Sequence, residues 1–575
     1  MARGGHIYGQ VGPINPMTGQ VMSPTYNQAD KKNRAGQQAF SRSIEEDTLA
    51  VLTTQTLSNT FYVGQKELAK EFVEVLRKMS DKDPMFLAKA LIYARNVGLM
   101  KLAPTVGLAV LSENKTDQGK AAFSKAFRHV IRIPDDLREF VELIRTGSFG
   151  GKKALMGVRK IVVQNWLRHM SQYHGLKYGS ANSEGITLRD ILRLTHPLPK
   201  VLDRHKDGKG LAYDRLRNGA QAELFGWLVK GWEKIGTEPS PTNALIWAFE
   251  KVKRCEDEKE IVSLVKKYKL PWEVVVPAVK KMTTGIWAAL LDGMPYMALL
   301  RNLNTMERHE VLKDNAIVKD IAKKLSDPEA VAKCKQLPFR FFNAHKAYTG
   351  PSAIRDAIHK AFEISCVNLP ELSGLKFVVS PDTSGSMQSQ VSEKGATSYA
   401  DIANIFAAAY YKKCEDGEML PFDTEVYPEK GRVTRHNTVL SIAEKLAGRG
   451  GGTDVGAPLK YLREKKIKID VWIGITDGED WAGRGFISEV EAYRQKINPD
   501  LKCFLITISP YRSGMTPVDY PGVYCTYGWS DSILKYVSLT LSEGKGQLDE
   551  VNSIDLDSYG KKAKEEEVET AVSAD

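Results

Sequence analysis

Five oxygen-bearing side chains in the last third of the chain have the types and the order of a site for a hard cation. Asp382, Ser384 and Ser386 alternate within one short stretch, and Thr453 and Asp477 follow in separate segments. Two carboxylates and three hydroxyls form a donor set with only two negative charges. Such a set suits Mg²⁺, or Mn²⁺ in its place, whereas zinc and copper(I) prefer sites with softer ligands. The sequence therefore predicts a divalent cation site that retains room for one further carboxylate.

Short apolar segments precede both aspartates, as the strands of a parallel sheet would. Residues 375–379 lead into Asp382, residues 469–475 lead into Asp477, and a similar run lies at 503–508. Helical stretches alternate with these runs, which favours a doubly wound α/β sheet covered on both faces. Ligands of such sheets bind beyond the carboxyl ends of the strands, so the predicted cation ligands are expected at one edge.

Three residues near these ligands in the sequence could also affect the cation site. Asp454 and Glu479 are further candidate ligands; Glu479 is interpreted as a surface or supporting charge, and Asp454 is left open. Pro381 directly precedes the first aspartate, where a strand residue is more usual. Because proline cannot donate to a strand ladder, we expect it to distort this strand end and to change the affinity for the cation.

Residues 43–365 have a helical pattern nearly throughout. Apolar residues recur at three- and four-residue spacing, as at Leu68, Phe72 and Val75, and prolines separate runs of roughly 10–18 residues. This rhythm indicates stacked helix pairs, an α-solenoid of the HEAT kind. No strict sequence period is present, so an irregular α-helical domain is an alternative of nearly equal weight.

The charge is divided between the two parts of the chain. Residues 1–370 hold 57 Lys and Arg against 38 Asp and Glu, which is +19, whereas residues 371–575 hold 24 against 32, which is −8. A basic body joined to an acidic domain indicates a polyanionic partner for the body. The alternative is that the charge contributes to solubility alone.

Two basic segments of the helical part are candidates for phosphate contacts. Residues 152–200 hold nine Lys and Arg against two acids, and a second cluster lies at 120–132. Such contacts would be independent of base sequence and sensitive to salt, and the alternative is a pair of solvated helix faces. The candidate RNA contacts are Lys120, Lys125, Arg128, Arg132, Lys152, Lys153, Arg159, Lys160, Arg168, His169, Lys177 and Arg189.

The motifs resemble two known modules. The cation-site residues together resemble the metal-ion-dependent adhesion site of von Willebrand factor A domains, over about 370–540. The helical part resembles the TROVE module of the Ro ribonucleoprotein family. The resemblance implies a mainly α, HEAT-like helical-repeat ring closed by an α/β doubly wound von Willebrand A domain. The stretches that carry the TROVE resemblance are 35–41, 93–98, 103–109, 188–197 and 287–303.

The chain is expected to have four regions. Composition predicts a flexible arm at 1–34 and an acidic tail at 546–575, and the resemblance implies the RNA-binding TROVE module at 35–368 and the A domain at 369–545. The resemblance also implies a function. Members of the family bind the ends of misfolded or non-coding RNAs and also bind Y RNA or Y-like RNA. Bacterial members are linked to RNA turnover, with polynucleotide phosphorylase as a partner, and another exoribonuclease is a further candidate. We expect no specificity for DNA.

One departure from the family pattern concerns RNA contact directly. Many relatives have a histidine where this chain has Leu188. If that histidine contacts RNA, Leu188 cannot replace it, so the class of RNA that this chain binds is left open.

The sequence favours binding over catalysis. Residues 147–153 lack the spacing of a phosphate-binding loop, and the chain has no nucleophile elbow and no HExxH motif. No apolar run approaches the ~18–20 residues of a membrane span, and the amino terminus lacks a secretion signal. The six cysteines form no close pair, which indicates reduced structural cysteines. We expect a cytoplasmic protein that is not an enzyme.

Two alternatives to RNA binding are retained. In the first, the A domain of a protein-interaction scaffold or co-chaperone clamps an acidic residue of a partner through the cation. In the second, the chain is an A-domain subunit of a chelatase-like machine, which is weaker because the sequence has no ATPase module.

Overall fold

The chain folds into two compact units. The sheet unit comprises residues 1–103, 337–343 and 362–575, and the helical unit comprises residues 104–336 and 344–361. Among the described helices, none combines the length and the apolar character that a bilayer crossing requires. The computed structural model describes residues 29–54, 64–146, 155–179, 185–197, 202–204, 211–213, 215–231, 238–334, 338–366, 372–391, 397–429, 432–446, 450–517, 520–528, 530, 533 and 535–559.

Helices dominate the described chain up to residue 366, as the apolar spacing predicts. Several begin at a side chain that accepts an amide hydrogen of the first turn, such as Asp83, Thr116 and Thr283. The helices are α1 (Ile44–Thr54), α2 (Gln65–Lys82), α3 (Pro84–Asn96), α4 (Leu102–Leu111), α5 (Asp117–Val130), α6 (Pro134–Arg145), α7 (Gly157–Arg168), α8 (Gln172–Gly179), α9 (Leu188–Thr195), α10 (Arg215–Lys230), α11 (Ala244–Val252), α12 (Glu258–Tyr268), α13 (Trp272–Ala278), α14 (Thr284–Leu291), α15 (Tyr296–Arg308), α16 (Asn315–Leu325), α17 (Pro328–Cys334), α18 (Pro338–Ala347) and α19 (Ser352–Ser365). Two short antiparallel pairs also occur, β1 (Lys31–Lys32) with β2 (Gln38–Ala39) and β3 (Leu202–Arg204) with β4 (Leu211–Tyr213).

Aromatic packing holds α5 and α6 of the helical unit together. Ring centroids of Phe123 and Phe127 lie 5.6 Å apart, and those of Phe127 and Phe140 lie 5.3 Å apart. All three rings are buried, so the polar residues of α5 are left on its outer face. α7 packs against α5. This packing sets the positions of the basic side chains at the ends of both helices.

Five parallel strands and the helices between them form the second half of the sheet unit. The strands are β5 (Leu372–Pro381), β6 (Cys414–Met419), β7 (Val471–Thr476), β8 (Lys502–Thr507) and β9 (Val523–Tyr527). The helices are α20 (Tyr399–Lys413), α21 (Val439–Lys445), α22 (Ala457–Glu464), α23 (Phe486–Lys496), α24 (Lys535–Glu543) and α25 (Gln547–Ser553). The strand order is β6-β5-β7-β8-β9, so β6 lies on one side of β5 and β7 lies on the other. Ligands of doubly wound sheets bind at such a reversal of strand order.

The ladder between β5 and β7 continues regularly through Pro381. Pro381 is in register with Ile475, and the amide of Asp382 donates to the carbonyl of Ile475 at 2.9 Å. The amide of Asp382 faces β7, so the N–H that proline lacks would face the side of β6, where the amides of Leu420 and Phe422 still donate to the carbonyls of Val379 and Pro381 at 3.0 and 3.1 Å. The expected distortion of this strand end is therefore wrong.

The amino-terminal helices belong to the sheet unit. α1 packs against β9, and α3 packs against α25. The hydroxyls of Tyr93 and Tyr536 lie 2.7 Å apart in a buried network, and Gln547 donates to the Tyr93 hydroxyl at 3.3 Å. The compact units thus divide the chain differently from the domains expected from the sequence. Residues 1–28 and 560–575, most of the predicted arm and about half of the predicted tail, lie outside the described residues.

Candidate metal centre and basic surface

The segments predicted to hold a cation converge at the carboxyl edge of the sheet. Asp382 directly follows β5, and its amide bonds to Ile475 of β7. The amide of Gly385 donates to the carbonyl of Gly451 at 2.9 Å, which joins the first ligand loop to the second. The five predicted ligands, all buried, are Asp382, Ser384, Ser386, Thr453 and Asp477.

Hydrogen bonds orient four of these ligands. The amide of Ser384 donates to Asp382 Oδ1 at 2.9 Å, and the Thr476 hydroxyl donates to Asp382 Oδ2 at 2.6 Å. The hydroxyl oxygens of Ser384 and Ser386 lie 3.2 Å apart. The Ser386 hydroxyl also bonds to the carboxylate of Asp477. The set is therefore preorganised by its own contacts.

Thr453 completes the set in a different way. Its side chain is 1% exposed, and its hydroxyl oxygen has no hydrogen-bond partner among the described residues. Its carbonyl accepts the amides of Trp481 and Ala482 at 3.1 and 2.9 Å, which fixes the backbone of this loop. A buried hydroxyl without a partner is costly, so an additional group at this position would stabilise it.

The electrostatics of the site favour a cation. Burial first, and then the charge of Asp477, raises the pKa of Asp382 to about 7, and burial raises the pKa of Asp477. No Lys or Arg forms an ion pair with either carboxylate in the described part of the chain. A divalent ion would hold both groups ionised. Within the same residues, no cluster of three His, Cys, Asp or Glu side chains offers another cation site.

Two supporting residues were missed by the sequence analysis. Thr476 fixes the second oxygen of Asp382, and a polar residue at the end of an apolar strand was the signal for it. Asp423 accepts the Tyr427 hydroxyl at 3.0 Å, and its backbone carbonyl accepts the amide of Asp454 at 2.9 Å. A Cβ on Gly451 would lie 2.5 Å from Asp423 Oδ2, so this loop requires glycine there. No pattern near Asp423 indicated this role.

Glu479 supports the site from inside the protein. It is fully buried, accepting the amide of Ala35 at 3.1 Å and the hydroxyl of Ser513 at 3.0 Å. Burial, and then the charge of Asp477, raises its pKa to about 7. Its interpretation as a surface charge is wrong, and the supporting role remains. Asp454 accepts the amide of Gly456 at 3.0 Å, at the start of α22.

The structure brings the two predicted basic segments together at the ends of α5 and α7. Arg128 Nη2 lies 3.0 Å from His169 Nδ1. Arg132, two residues beyond the end of α5, is exposed, and Arg168 precedes His169. Burial, and then the charges of Arg128 and Arg132, lowers the pKa of His129. Arg128, Arg132, Arg168 and His169 are called the α5–α7 patch below.

Several other residues that were predicted to contact RNA bond instead to groups of the protein itself. Three of the guanidinium or ammonium groups bond to backbone carbonyls or acids, which limits their use for RNA. These bonds join Arg159 to the carbonyl of Ser112 (3.2 Å), Arg189 to the carbonyl of Val229 (2.7 Å) and Lys177 to Glu273 (2.6 Å). Lys120 pairs with exposed Asp117 at 3.1 Å, and Lys125 and Lys160 are half-exposed. Lys152 and Lys153 lie outside the described residues.

A cavity beside α9 adds Arg145, which lies outside the two predicted basic segments, to Arg193 of the segment 152–200. Its volume is about 470 Å³, and Arg145, Arg193 and the backbone at Gly185 line it. The Nε of Arg145 is buried and has no hydrogen-bond partner among the described residues. Asp190 also lines the cavity but accepts the Thr187 hydroxyl at 2.6 Å at the start of α9. The cavity therefore offers arginine donors to an anion.

Leu188 belongs to the core. It is 1% exposed in the first turn of α9. We expect Leu188→His to lower the free energy of unfolding by about 2–4 kcal/mol, because it buries a polar ring, and to leave RNA affinity no higher. Chemical denaturation and RNA titration measure both. Leu194→His in the same helix is the control for stability alone, since Leu194 is 38% exposed but lines the cavity beside α9. Equal losses of stability in the two variants would contradict this placement.

Comparisons with known proteins agree with this architecture. Residues 43–357 match a family model described as TROVE domain, and residues 376–521 match one described as Ro60 vWA domain. RNA-binding protein RO60 of Caenorhabditis elegans is 26% identical over 472 residues, which cover 71% of this chain and 70% of that protein. RNA-binding protein RO60 of Deinococcus radiodurans is 22% identical over 526 residues, covering 86% and 92%.

A solved structure has the same fold. The crystal structure of the Deinococcus radiodurans Ro (Rsr) protein matches with a TM-score of 0.60 at 19% identity, over 85% of this chain and 97% of that chain. Together with the elements above, this confirms the predicted fold class: a mainly helical module of the TROVE kind and a doubly wound von Willebrand A domain.

Proposed function

Since this chain belongs to the Ro ribonucleoprotein family, we propose that its helical unit binds RNA. The observation that carries the proposal is the α5–α7 patch, where Arg128 and His169 from separate basic segments lie 3.0 Å apart. Both relatives compared above are named RNA-binding proteins, which supports the same role here. The expected ligands are structured non-coding RNAs of the Y RNA-like type and RNA 3′ ends, bound for RNA quality control or processing.

The chemistry of the patch suits the phosphate backbone. Exposed arginines neutralise phosphates and release counterions, whatever the base sequence. The cavity lined by Arg145 and Arg193 adds a concave site next to α9, where guanidinium groups can bond to a phosphate or lie against a base. We expect no specificity for DNA sequence, since phosphate contacts are independent of the base sequence.

We further propose that the sheet unit binds Mg²⁺, or Mn²⁺ in its place. The residues fit such an ion, because Thr453 has a buried hydroxyl without a partner and because Asp382 and Asp477 are buried without a counter-ion in the described chain. Bound there, the ion would supply a positive charge that accepts one more oxygen ligand. Asp382, Ser384, Ser386, Thr453 and Asp477 would hold it.

The rest of the proposal concerns the class of protein, its location and its protein partner. We propose a binding protein and not an enzyme, acting in the cytoplasm, with polynucleotide phosphorylase or another exoribonuclease as a protein partner. The alternative function is a metal-dependent interaction scaffold, which the hydroxyl-rich cation site favours.

Purification with and without nuclease tests the main proposal. Full-length protein recovered from cells is expected to carry RNA that nuclease removes, and sequencing should find structured non-coding RNAs enriched over the total RNA of the same cells. Protein that carries no RNA, but retains a stable protein partner after nuclease treatment, would contradict RNA binding and support the scaffold.

A further inference from the structure

Trp481 is a large aromatic side chain left in solvent beside the candidate cation site. It is 42% exposed. Its ring lies against Gly452, the residue before Thr453, where a Cβ would lie only 2.3 Å from the indole Cζ2. Its indole N–H has no acceptor within the described ranges. Covering the exposed face of this ring with a partner would remove apolar surface from water, which is favourable.

The loop that carries Trp481 is held rigidly. Its start is fixed because the amides of Trp481 and Ala482 both donate to the carbonyl of Thr453. Its end is fixed because Asp480 Oδ2 accepts the amide of Phe486 at 3.0 Å, while Oδ1 accepts the amide of Val455 at 3.1 Å. The exposed indole is therefore displayed in a defined position next to a ligand loop, which lowers the entropic cost of binding a partner.

The same loop displays a positive charge. Arg484 is exposed, and it forms no ion pair with any described residue. Gly483 and Gly485 flank it with φ of +71° and +85°, conformations that other residues rarely adopt. A Cβ on Gly483 would also lie 2.3 Å from Asp454 Oδ2. Tryptophan and arginine are the residue types most enriched among those that dominate the energetics of protein interfaces.

We propose that Trp481 and Arg484, together with the cation bound by Asp382, Thr453 and their fellow ligands, form a docking surface for an acidic protein segment. One carboxylate of the segment ligates the cation, and an aromatic side chain beside it packs on the indole. This inference rests on the proposed cation site. It adds the residues that would select one carboxylate-bearing partner over another, since a cation alone accepts any carboxylate.

A protein segment suits this surface better than RNA does. Residues 371–575 carry a net charge of −8, and the acids Asp423 and Glu479 are buried beside the loops that carry the cation ligands. A polyanion would meet repulsion from this region, whereas a short segment with one or two carboxylates would meet only the cation and Arg484.

Labelled peptides and Mn²⁺ test the inference separately from the cation site. The probes are acetyl-Gly-Asp-Phe-Gly amide, the same peptide with Ala for Phe, and the same peptide with Asn for Asp. Each carries a fluorophore, and its anisotropy is measured against the full chain in Mn²⁺. Free Mn²⁺ is measured independently by electron paramagnetic resonance. The proteins are the wild type, Trp481→Ala, Trp481→Phe and, as control, Leu375→Ala, which alters another exposed apolar side chain of the sheet unit.

We expect the wild type to bind the Asp-Phe peptide about fivefold more tightly than the Asp-Ala peptide, a typical difference for an aromatic pair. Trp481→Ala should abolish that difference, Trp481→Phe should keep part of it, and neither should change Mn²⁺ affinity; Leu375→Ala should change nothing.

Equal binding of the two peptides by Mn²⁺-loaded wild type would overturn the inference, as would no peptide binding at all. A parallel loss of Mn²⁺ affinity in Trp481→Ala would make the residue structural. Uridine oligonucleotide binding that depends on Trp481 would assign the surface to RNA. A wild type that binds no Mn²⁺ would instead remove the proposed cation site itself.

Discussion

Replacement of Arg128, Arg132 and Arg168 by glutamate is expected to weaken the binding of a structured RNA with a free 3′ tail by about 100-fold or more at moderate salt. Each lost phosphate contact removes roughly one unit from the slope of log affinity against log salt concentration. The slope should therefore fall by about two to three units, and the loss of affinity should be similar for RNAs of different sequence. Titrations at several salt concentrations measure both quantities.

A matched charge reversal separates the α5–α7 patch from the net charge of the helical unit. Lys259, Lys266 and Lys267 are exposed on α12, and their replacement by glutamate changes the total charge by the same amount. We expect that variant to lose little affinity, since long-range screening is strong at moderate salt. If both triple variants lose affinity equally, or if the patch variant binds as the wild type does, the patch is not the RNA surface.

The cation site could be predicted because each of its ligands is indicated by the residues next to it in the sequence. Asp382 and Asp477 each follow an apolar strand, and the ends of parallel strands share one edge of the sheet. The supporting groups could not be predicted in this way. Asp423 matters because Gly451, 28 positions later in the chain, lies against its carboxylate, and Glu479 is buried because Ala35 and Ser513 bond to it. Such contacts depend on tertiary packing that spacing does not encode.

The availability of the basic side chains for RNA also depends on tertiary contacts that sequence spacing does not encode. Helical spacing predicts which residues share a face, but α5 ends at Val130 and the backbone is extended at Ile131, so the prediction that Arg132 shares a helix face with Arg128 is wrong. Spacing does not say which neighbouring carbonyl or acid will take a side chain. Arg189 bonds to a carbonyl 40 positions away, and Lys177 pairs with Glu273, so both are less available than their sequence context indicates. Arg145 was missed because its cavity forms only when Gly185 and Arg193 lie beside it.

The second large effect is expected for the unfolding temperature of the metal-free protein as a function of pH. In EDTA, the wild type should lose stability as the pH rises from 5 to 8. Burial raises the pKa of Asp382 to about 7, above its ordinary value of 3.8, so the folded state holds this proton more tightly than the unfolded state does. The associated stability is complete below pH 4 and is lost as the pH rises through 7. One pKa unit corresponds to about 1.4 kcal/mol, so the loss is on the order of a few kcal/mol.

Mg²⁺ should reverse this loss. An ion that binds the ionised carboxylates of the folded state stabilises it by about 2.7 kcal/mol at a hundredfold excess over its dissociation constant. The unfolding temperature at pH 8 should therefore rise by several degrees on adding Mg²⁺, and by less at pH 5, where Asp382 is protonated. Differential scanning calorimetry of the full chain, in EDTA and in Mg²⁺, measures the effect.

Asp382→Asn tests whether this response belongs to the site. The amide can still accept from the Ser384 amide and bond to the Thr476 hydroxyl, so the loop should keep its shape. Without the ionisable group, the variant should lose the response to Mg²⁺ and part of the pH dependence. The part that remains comes from other carboxyls, among them Asp477, whose pKa burial raises, and Glu479 and Asp480, whose pKa values burial raises to about 7. Asp500→Asn, at an exposed position, is the control and should respond as the wild type does. An Asp382→Asn protein that Mg²⁺ still stabilises at pH 8 would place the ion elsewhere, because Asp382 is the ligand that joins β5 to the cation in every form of this proposal.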